Sequence, residues 1–313
     1  MNLLERQLLF VTGKGGVGKT TVAAALAQLA ASQGKRTLVC EMDAKGSLAA
    51  AFDCAAFPYK AREIDADLFG MAMNTEDSLR EYLKLFVRIP LVGRIGPLAH
   101  TFDFVADAAP GVKEILAIGK LCYEVRERHY DLVVVDAQAS GHIVAQIGAP
   151  RVIRDLVQVG LVRDQTVWMN EILDDPQRTG LITVTTPEEM PVNETIDLLA
   201  EVKRRTGVDT AAVVVNRVLP ALFGTREGQV FDRLFTRKAQ AMLVDAAGRR
   251  VLDVMEAARM NESRRRVGSG HLERLREAWG DDNRMLYIPE LFTRATGRRV
   301  VALVANALSE ELL

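Results

Sequence analysis

The sequence predicts an α/β chain built on a doubly wound, mainly parallel sheet with helical insertions. Three observations carry that expectation. Short apolar runs of strand length recur at 8–11, 37–40, 130–136, 181–185, 210–217 and 284–288, and stretches with helical apolar spacing lie between them. A glycine-rich loop joins the first run to the first helical stretch. Polar residues, among them Asp43, Asp136 and Asn216, follow the carboxyl ends of the runs, where ligands collect in open parallel sheets.

The loop reads Gly13-Lys14-Gly15-Gly16-Val17-Gly18-Lys19-Thr20, the pattern G-x-x-x-x-G-K-[ST]. Glycines let the backbone curl without Cβ clashes. The curled N–H groups and the start of the next helix then converge on anionic oxygens. Lys19 supplies positive charge for the β- and γ-phosphates, and the Thr20 hydroxyl can ligate Mg²⁺. Thr21, the next residue, continues the cradle into a helix that runs to Ala31. Gly34-Lys35-Arg36 stops that helix.

The second strand leads into Glu41-Met42-Asp43-Ala44-Lys45-Gly46. Phosphoryl transfer to water needs a group that orients the water. Asp43, one strand from the loop, is the candidate, and a helix-capping aspartate is the competing reading. Within 53–110, Leu68 to Met73 has strand character. Thr75 is expected to cap a helix through Leu79, Tyr82, Leu83 and Phe86. The apolar stretch 89–105 suits a helical insertion, a dimer surface or a groove for an apolar client. Pro110-Gly111 opens a helix whose apolar stripe includes Cys122.

The run 130–136 ends in Asp136, an apolar strand carrying an aspartate that can hold Mg²⁺ directly or through water. Residues 150–175 are expected to be helical, and 190–205 form an amphipathic helix with Pro191 in its first turn. Asn216 ends the next strand, and its amide offers both donor and acceptor to an adenine edge. Residues 218–283 are helical and highly charged; Arg264-Arg265-Arg266 reads as a solvated face rather than an anion or nucleic-acid site. A helix over 297–312 closes the chain. No domain linker stands out, so 1–313 is expected to form one domain, with insertions at about 53–110 and 218–283.

Composition bounds the partners. The 313 residues are 26% charged and 49% hydrophobic, with a net charge of −1. That balance argues against a nucleic-acid surface. No stretch reaches the roughly 18 uncharged apolar residues of a membrane span, and the start shows no signal-peptide pattern. Three cysteines without a C-x-x-C pair suit reduced thiols and a cytoplasmic setting.

Lys14 sharpens the motif. The form K-G-G-V-G-K-T resembles the deviant Walker A loop of P-loop NTPases such as MinD, ParA, the nitrogenase iron protein and the arsenite-pump ATPase ArsA. The resemblance implies that Lys14 reaches across a dimer interface to the partner's ATP, and that Asp43, leading the first switch, activates water. Ala44 stands where that switch has proline. Ala137-Gln138-Ala139-Ser140-Gly141-His142 resembles the second switch of one branch, ArsA and the tail-anchored-protein targeting ATPases, matching at Asp136, Gly141 and His142. In that branch residues at the places of Glu188 and Asn216 touch the nucleoside, and the segment Pro289-Glu290-Leu291-Phe292 closes over adenine. The C-x-x-C zinc clasp of the targeting factors is missing.

The resemblance therefore implies a Mg²⁺-dependent ATPase acting as a homodimer, or as a heterodimer with a sibling subunit, that handles a hydrophobic client or a membrane-protein partner. A metalloid efflux-pump motor and a ParA/MinD-like positioning switch are the alternatives. The first needs three converging thiols, and the second a basic patch or a basic amphipathic terminal helix.

Overall fold

The computed structural model describes residues 3–87, 111–156 and 159–312. Eight strands form one sheet in the order β3-β4-β2-β5-β1-β6-β7-β8. They are β1 Leu8–Gly13, β2 Thr37–Glu41, β3 Arg62–Asp65, β4 Leu68–Ala72, β5 Leu132–Asp136, β6 Thr179–Thr185, β7 Thr210–Val218 and β8 Met285–Pro289. Every pairing is parallel except that of the edge strand β3 with β4. The expected α/β architecture is therefore present. The antiparallel β3 was not foreseen: Arg62–Asp65 is short and largely exposed, so no apolar alternation marks it in the sequence. β3 and β4 also place part of the 53–110 stretch in the sheet itself.

The helices are α1 Lys19–Ser32, α2 Ser47–Ala51, α3 Thr75–Tyr82, α4 Val112–Arg126, α5 Ser140–Leu156, α6 Leu161–Leu173, α7 Glu189–Arg205, α8 Thr225–Arg233, α9 Arg237–Ala247, α10 Val251–Trp279 and α11 Arg298–Leu312. A π-helical turn, Leu83–Val87, extends α3. Strand side chains alternate between faces, and the two faces carry separate cores. Leu9, Val11, Val39 and Val134 pack with α1 and α11 on one side. Leu8, Phe10, Leu38 and Val133 pack with α4, α5 and α6 on the other. On that second side Val213 and Val215 meet Val192 and Leu199 of α7 and Leu275 of α10. The central strands β1, β2, β5 and β6 are buried along their whole length, which is why they read as continuous apolar runs.

One local expectation is corrected. The α3 cap is Asn74, whose side chain accepts from the Asp77 N–H, and Thr75 is the first helical residue. Asparagine's amide oxygen accepts at the N-cap as well as a threonine hydroxyl does. The helical character expected of 150–175 is present in α5 and α6, with Pro150 buried inside α5, where packing tolerates one lost backbone hydrogen bond. The proposed client stretch 89–105 lies outside the described residues.

Candidate active site at the carboxyl ends of β1, β2 and β5

The phosphate loop spans the gap between β1 and α1, and two of its glycines are required by contacts. A Cβ on Gly13 would stand 2.1 Å from the Val184 carbonyl oxygen of β6. Gly18, the N-cap of α1, has φ +99°, and a Cβ there would meet Asn216 Nδ2 at 2.4 Å. Left-handed φ and close backbone approach are the two uses only glycine serves. Val17 is buried beneath the loop, whereas Gly15 and Gly16 are exposed at its crest.

Asn216 proves to be a support of this loop. Its Nδ2 donates to the Val17 carbonyl at 2.8 Å, and its Oδ1 accepts from the Arg217 N–H at 2.9 Å. These contacts fasten β7 to the phosphate loop and use one of the amide's two N–H donors and one of its two lone pairs.

Lys19 folds back over the loop and donates to the Lys14 carbonyl at 3.3 Å. Burial lowers its pKa, opposed by the charges of Asp136 and Asp43. Thr20 donates from Oγ1 to Asp136 Oδ2 at 2.7 Å. Burial pushes the Asp136 carboxyl up to about 6, against the pull of the Thr20 hydrogen bond and the Lys19 charge. A hydroxyl and a buried carboxylate held together are hard oxygen donors of the kind Mg²⁺ takes, so these two residues fit the ion. Thr21 is half-buried in the first turn of α1.

Asp43 is exposed beyond β2, and its Oδ2 pairs with Lys45 Nζ at 3.0 Å. Ala44 between them has φ +47°. Proline, with φ held near −65°, cannot take that conformation, so the Ala44 replacement goes with a different backbone path through this loop. The loop is held from below by Glu41, a residue not singled out from sequence. Glu41 is buried at the end of β2, and its carboxylate accepts from the N–H groups of Gly46, Ser47 and Leu48 at 3.2, 2.8 and 3.4 Å. A glutamate ending an apolar strand was the available signal.

The loop after β5 is tied to the site by Thr12, which donates from Oγ1 to the Gln138 carbonyl at 2.8 Å. Ser140 begins α5, with Gly141 and His142 exposed in its first turn and the His142 N–H donating to Ala139 O at 2.9 Å. Lys14 forms an ion pair with Glu194 of α7. The other Glu194 oxygen lies 3.5 Å from Ser140 Oγ. Glu194 therefore joins the loop lysine to the start of α5. It was missed because nothing in the amphipathic pattern of α7 distinguishes it from a solvated glutamate.

A cleft of about 640 Å³ opens past the carboxyl ends of β6, β7 and β8. Glu188, Arg217 and Phe292 line it, with Phe292 72% exposed. The closing segment divides: Pro289 ends β8 and Leu291 packs against the α1–α11 core, while Phe292 turns to the cleft. The cysteines do not gather. Cys40 and Cys122 are buried in the core on the α4–α6 face, and Cys54 packs against the opposite one. Burial drives the Cys122 thiol up to about 12 and raises Cys40 further still.

Comparison with known proteins agrees with this geometry. The sequence profile described as anion-transporting ATPase matches residues 6–167 and 154–240. The chain is 31% identical to the ATPase BagA of Mycobacterium tuberculosis over 226 residues, covering 69% of this chain and 66% of that protein. It is 26% identical over 251 residues to an ATPase ASNA1 homolog of Entamoeba dispar, covering 68% of this chain and 76% of that one. An arsenical pump-driving ATPase, so named, of Halobacterium salinarum is 27% identical over 241 residues, 70% of this chain and 37% of its own length. The match to the mycobacterial relative thus leaves about a third of that protein unspanned. By the extent of the profile match and by these relatives, the chain belongs to the anion-transporting ATPase family.

Proposed function

We propose that this chain hydrolyses ATP with Mg²⁺ as a nucleotide-gated dimer, and that the cycle drives handling of a cargo or partner. The observation that carries the reading is the Thr20–Asp136 hydrogen bond set beside Lys19 at the mouth of the phosphate loop. The loop amides and Lys19 bind the phosphates and hold the γ-phosphoryl group in line. Thr20 and Asp136 hold Mg²⁺, which neutralises charge developing on the transferred group. Asp43 orients the attacking water once its pairing with Lys45 is given up. Lys14 leaves Glu194 and completes the partner's site. That exchange frees Glu194 and Ser140 at the start of α5, and so couples the nucleotide state to α5.

The cargo is best read as an apolar or membrane-protein segment. A metalloid-pump motor, suggested by the name of the Halobacterium relative, is disfavoured by thiols that lie on both faces of the sheet. A membrane-bound positioning switch is disfavoured because α11 buries Val301, Val304 and Leu308 against the core instead of presenting an apolar face. No described helix is long and apolar enough to cross a membrane. The test is steady-state ATPase activity across a wide protein concentration range, with light scattering alongside. Specific activity rising with ATP-dependent dimer formation is the expected result. Activity independent of concentration, from a monomer, would remove the dimer mechanism.

A further inference from the structure

The loop that carries Asp43 is fixed in its backbone and free in its side chains. Met42, just past β2, donates its N–H to the Asp136 carbonyl at 3.1 Å, so the loop begins tied to the strand end that carries the proposed Mg²⁺ ligand. Beyond it the Glu41 carboxylate holds the N–H groups of Gly46, Ser47 and Leu48. Between these two anchors Ala44 stands at φ +47°, a left-handed conformation that a residue with a Cβ keeps only where its surroundings impose it. The turn brings Asp43 and Lys45 together, Nζ to Oδ2 at 3.0 Å. A surface ion pair is by itself of little consequence. Two features set this one apart. Both charges reach the Lys19 ammonium, Asp43 raising its pKa and Lys45 lowering it, so Lys45 acts within the electrostatic field of the phosphate loop. Among the described residues Asp43 is also the only partner of Lys45, whose side chain is 72% exposed. Exchanging that carboxylate for another anion therefore costs little.

We propose that Lys45 is a second cation for the terminal phosphoryl group of ATP in its own subunit's site. With ATP bound, its ammonium moves from Asp43 to a γ-phosphate oxygen; with ADP, it returns to the carboxylate. This deepens the ATPase reading above and rests on it. A terminal phosphoryl group carries more negative charge than one half-exposed carboxylate, and so competes better for the ammonium. Its arrival thus uncovers Asp43, and the carboxylate becomes free to orient water only when there is a phosphoryl group to attack. Once phosphate has left, the ion pair re-forms and Asp43 is masked again. Lys45 is then a binding residue for the γ-phosphate and, through its release of Asp43, a positioning residue for the water. Lys14 cannot take this part in the ligand-free chain, because it is held by Glu194.

The test is calorimetric titration of the full chain, with Mg²⁺ present, using the β,γ-imido analogue of ATP and, separately, ADP. The analogue has a γ-phosphate and is not hydrolysed. Lys45→Met keeps the length of the side chain and removes its charge. It is expected to weaken binding of the analogue about tenfold, the size of one charge-assisted hydrogen bond less the lost pairing with Asp43. ADP binding should be unchanged, which also verifies that the variant is folded. Lys45→Arg should retain most of the preference for the analogue. Asp43→Asn removes the competing carboxylate and should tighten binding of the analogue by up to about fivefold, a gain that should vanish when Lys45→Met is added. The loss in Lys45→Met should persist in a Lys14→Ala chain, where the proposed contact across the dimer is already gone. Wild-type affinity for the analogue in Lys45→Met, equal losses for the analogue and ADP, a loss that disappears in the Lys14→Ala chain, or an Asp43→Asn gain that survives Lys45→Met would overturn the inference. A wild-type chain that binds neither nucleotide would instead overturn the ATPase reading on which it rests.

Discussion

Asp136 shows how one residue carries opposed demands. The proposed mechanism has it organise a cation beside the phosphate loop, while burial holds its proton to about pH 6. An unfolded aspartate releases that proton near the ordinary value of 3.8. Between these values the ligand-free fold binds more protons than the unfolded chain, so the group's stabilising effect is full below about 3.8 and lost as pH rises to about 6. The loss amounts to about 3 kcal/mol at 1.36 kcal/mol per unit. Urea unfolding at pH 4 and pH 7 should show it as a difference between wild type and Asp136→Asn, which has no such proton to lose. Glu194 is the second residue-scale case. Its pairing with Lys14 competes with the lysine's proposed role in the partner's site. Glu194→Gln should lower the protein concentration at half-maximal ATPase activity by up to about fivefold, the range of a partly exposed ion pair. An unchanged midpoint would show that the pairing does not restrain Lys14.

At the scale of elements, the site is assembled by contacts between strand ends distant in sequence. β7 secures the loop after β1 through Asn216, and Thr12 at the end of β1 secures the loop after β5. Gly18 sits where these constraints meet. Gly18→Ala would add a left-handed strain of about 1–3 kcal/mol and a Cβ directed at Asn216. Lost ATP binding with intact cooperative unfolding is the expected outcome, measured by calorimetry and denaturation. α10 depends on its far end in the same way. Leu275→Ala should cost about 2–5 kcal/mol in urea unfolding, as buried leucine truncations do. α8 and α9, by contrast, bury no residue, so single apolar truncations there should leave global stability nearly unchanged.

For the whole molecule, the question is whether one chain holds a complete catalytic set. The proposed mechanism places Asp43 in its own site and Lys14 in its partner's. Lys14→Ala and Asp43→Asn should each lose most turnover while retaining ATP binding. Mixed in equal amounts, they should recover about a quarter of wild-type activity, because half of randomly assorted dimers are mixed and each mixed dimer rebuilds one of its two sites. If Lys14 serves its own site, no mixture recovers activity. The same assay bears on the sibling-subunit alternative: a chain inactive at every concentration, yet binding ATP, requires a different partner.

The sequence alone determined the parallel α/β sheet, the phosphate loop and the acidic strand end at Asp136. These features are legible because each rests on local rules: fully buried strands are continuous apolar runs, and a loop that curls around phosphate needs glycines at set spacing. Tertiary structure decided the rest. Glu41 and Glu194 belong to no local pattern, and they matter because folding brings them to Gly46 and Lys14. Asn216 was legible as a strand-end amide, but only packing against Val17 assigned it to the loop. Hydrogen-bond partners across the sheet are chosen by register and burial. Neither is written in the identity of one residue, and so the scaffold could be read along the chain while the connections among its strand ends could not.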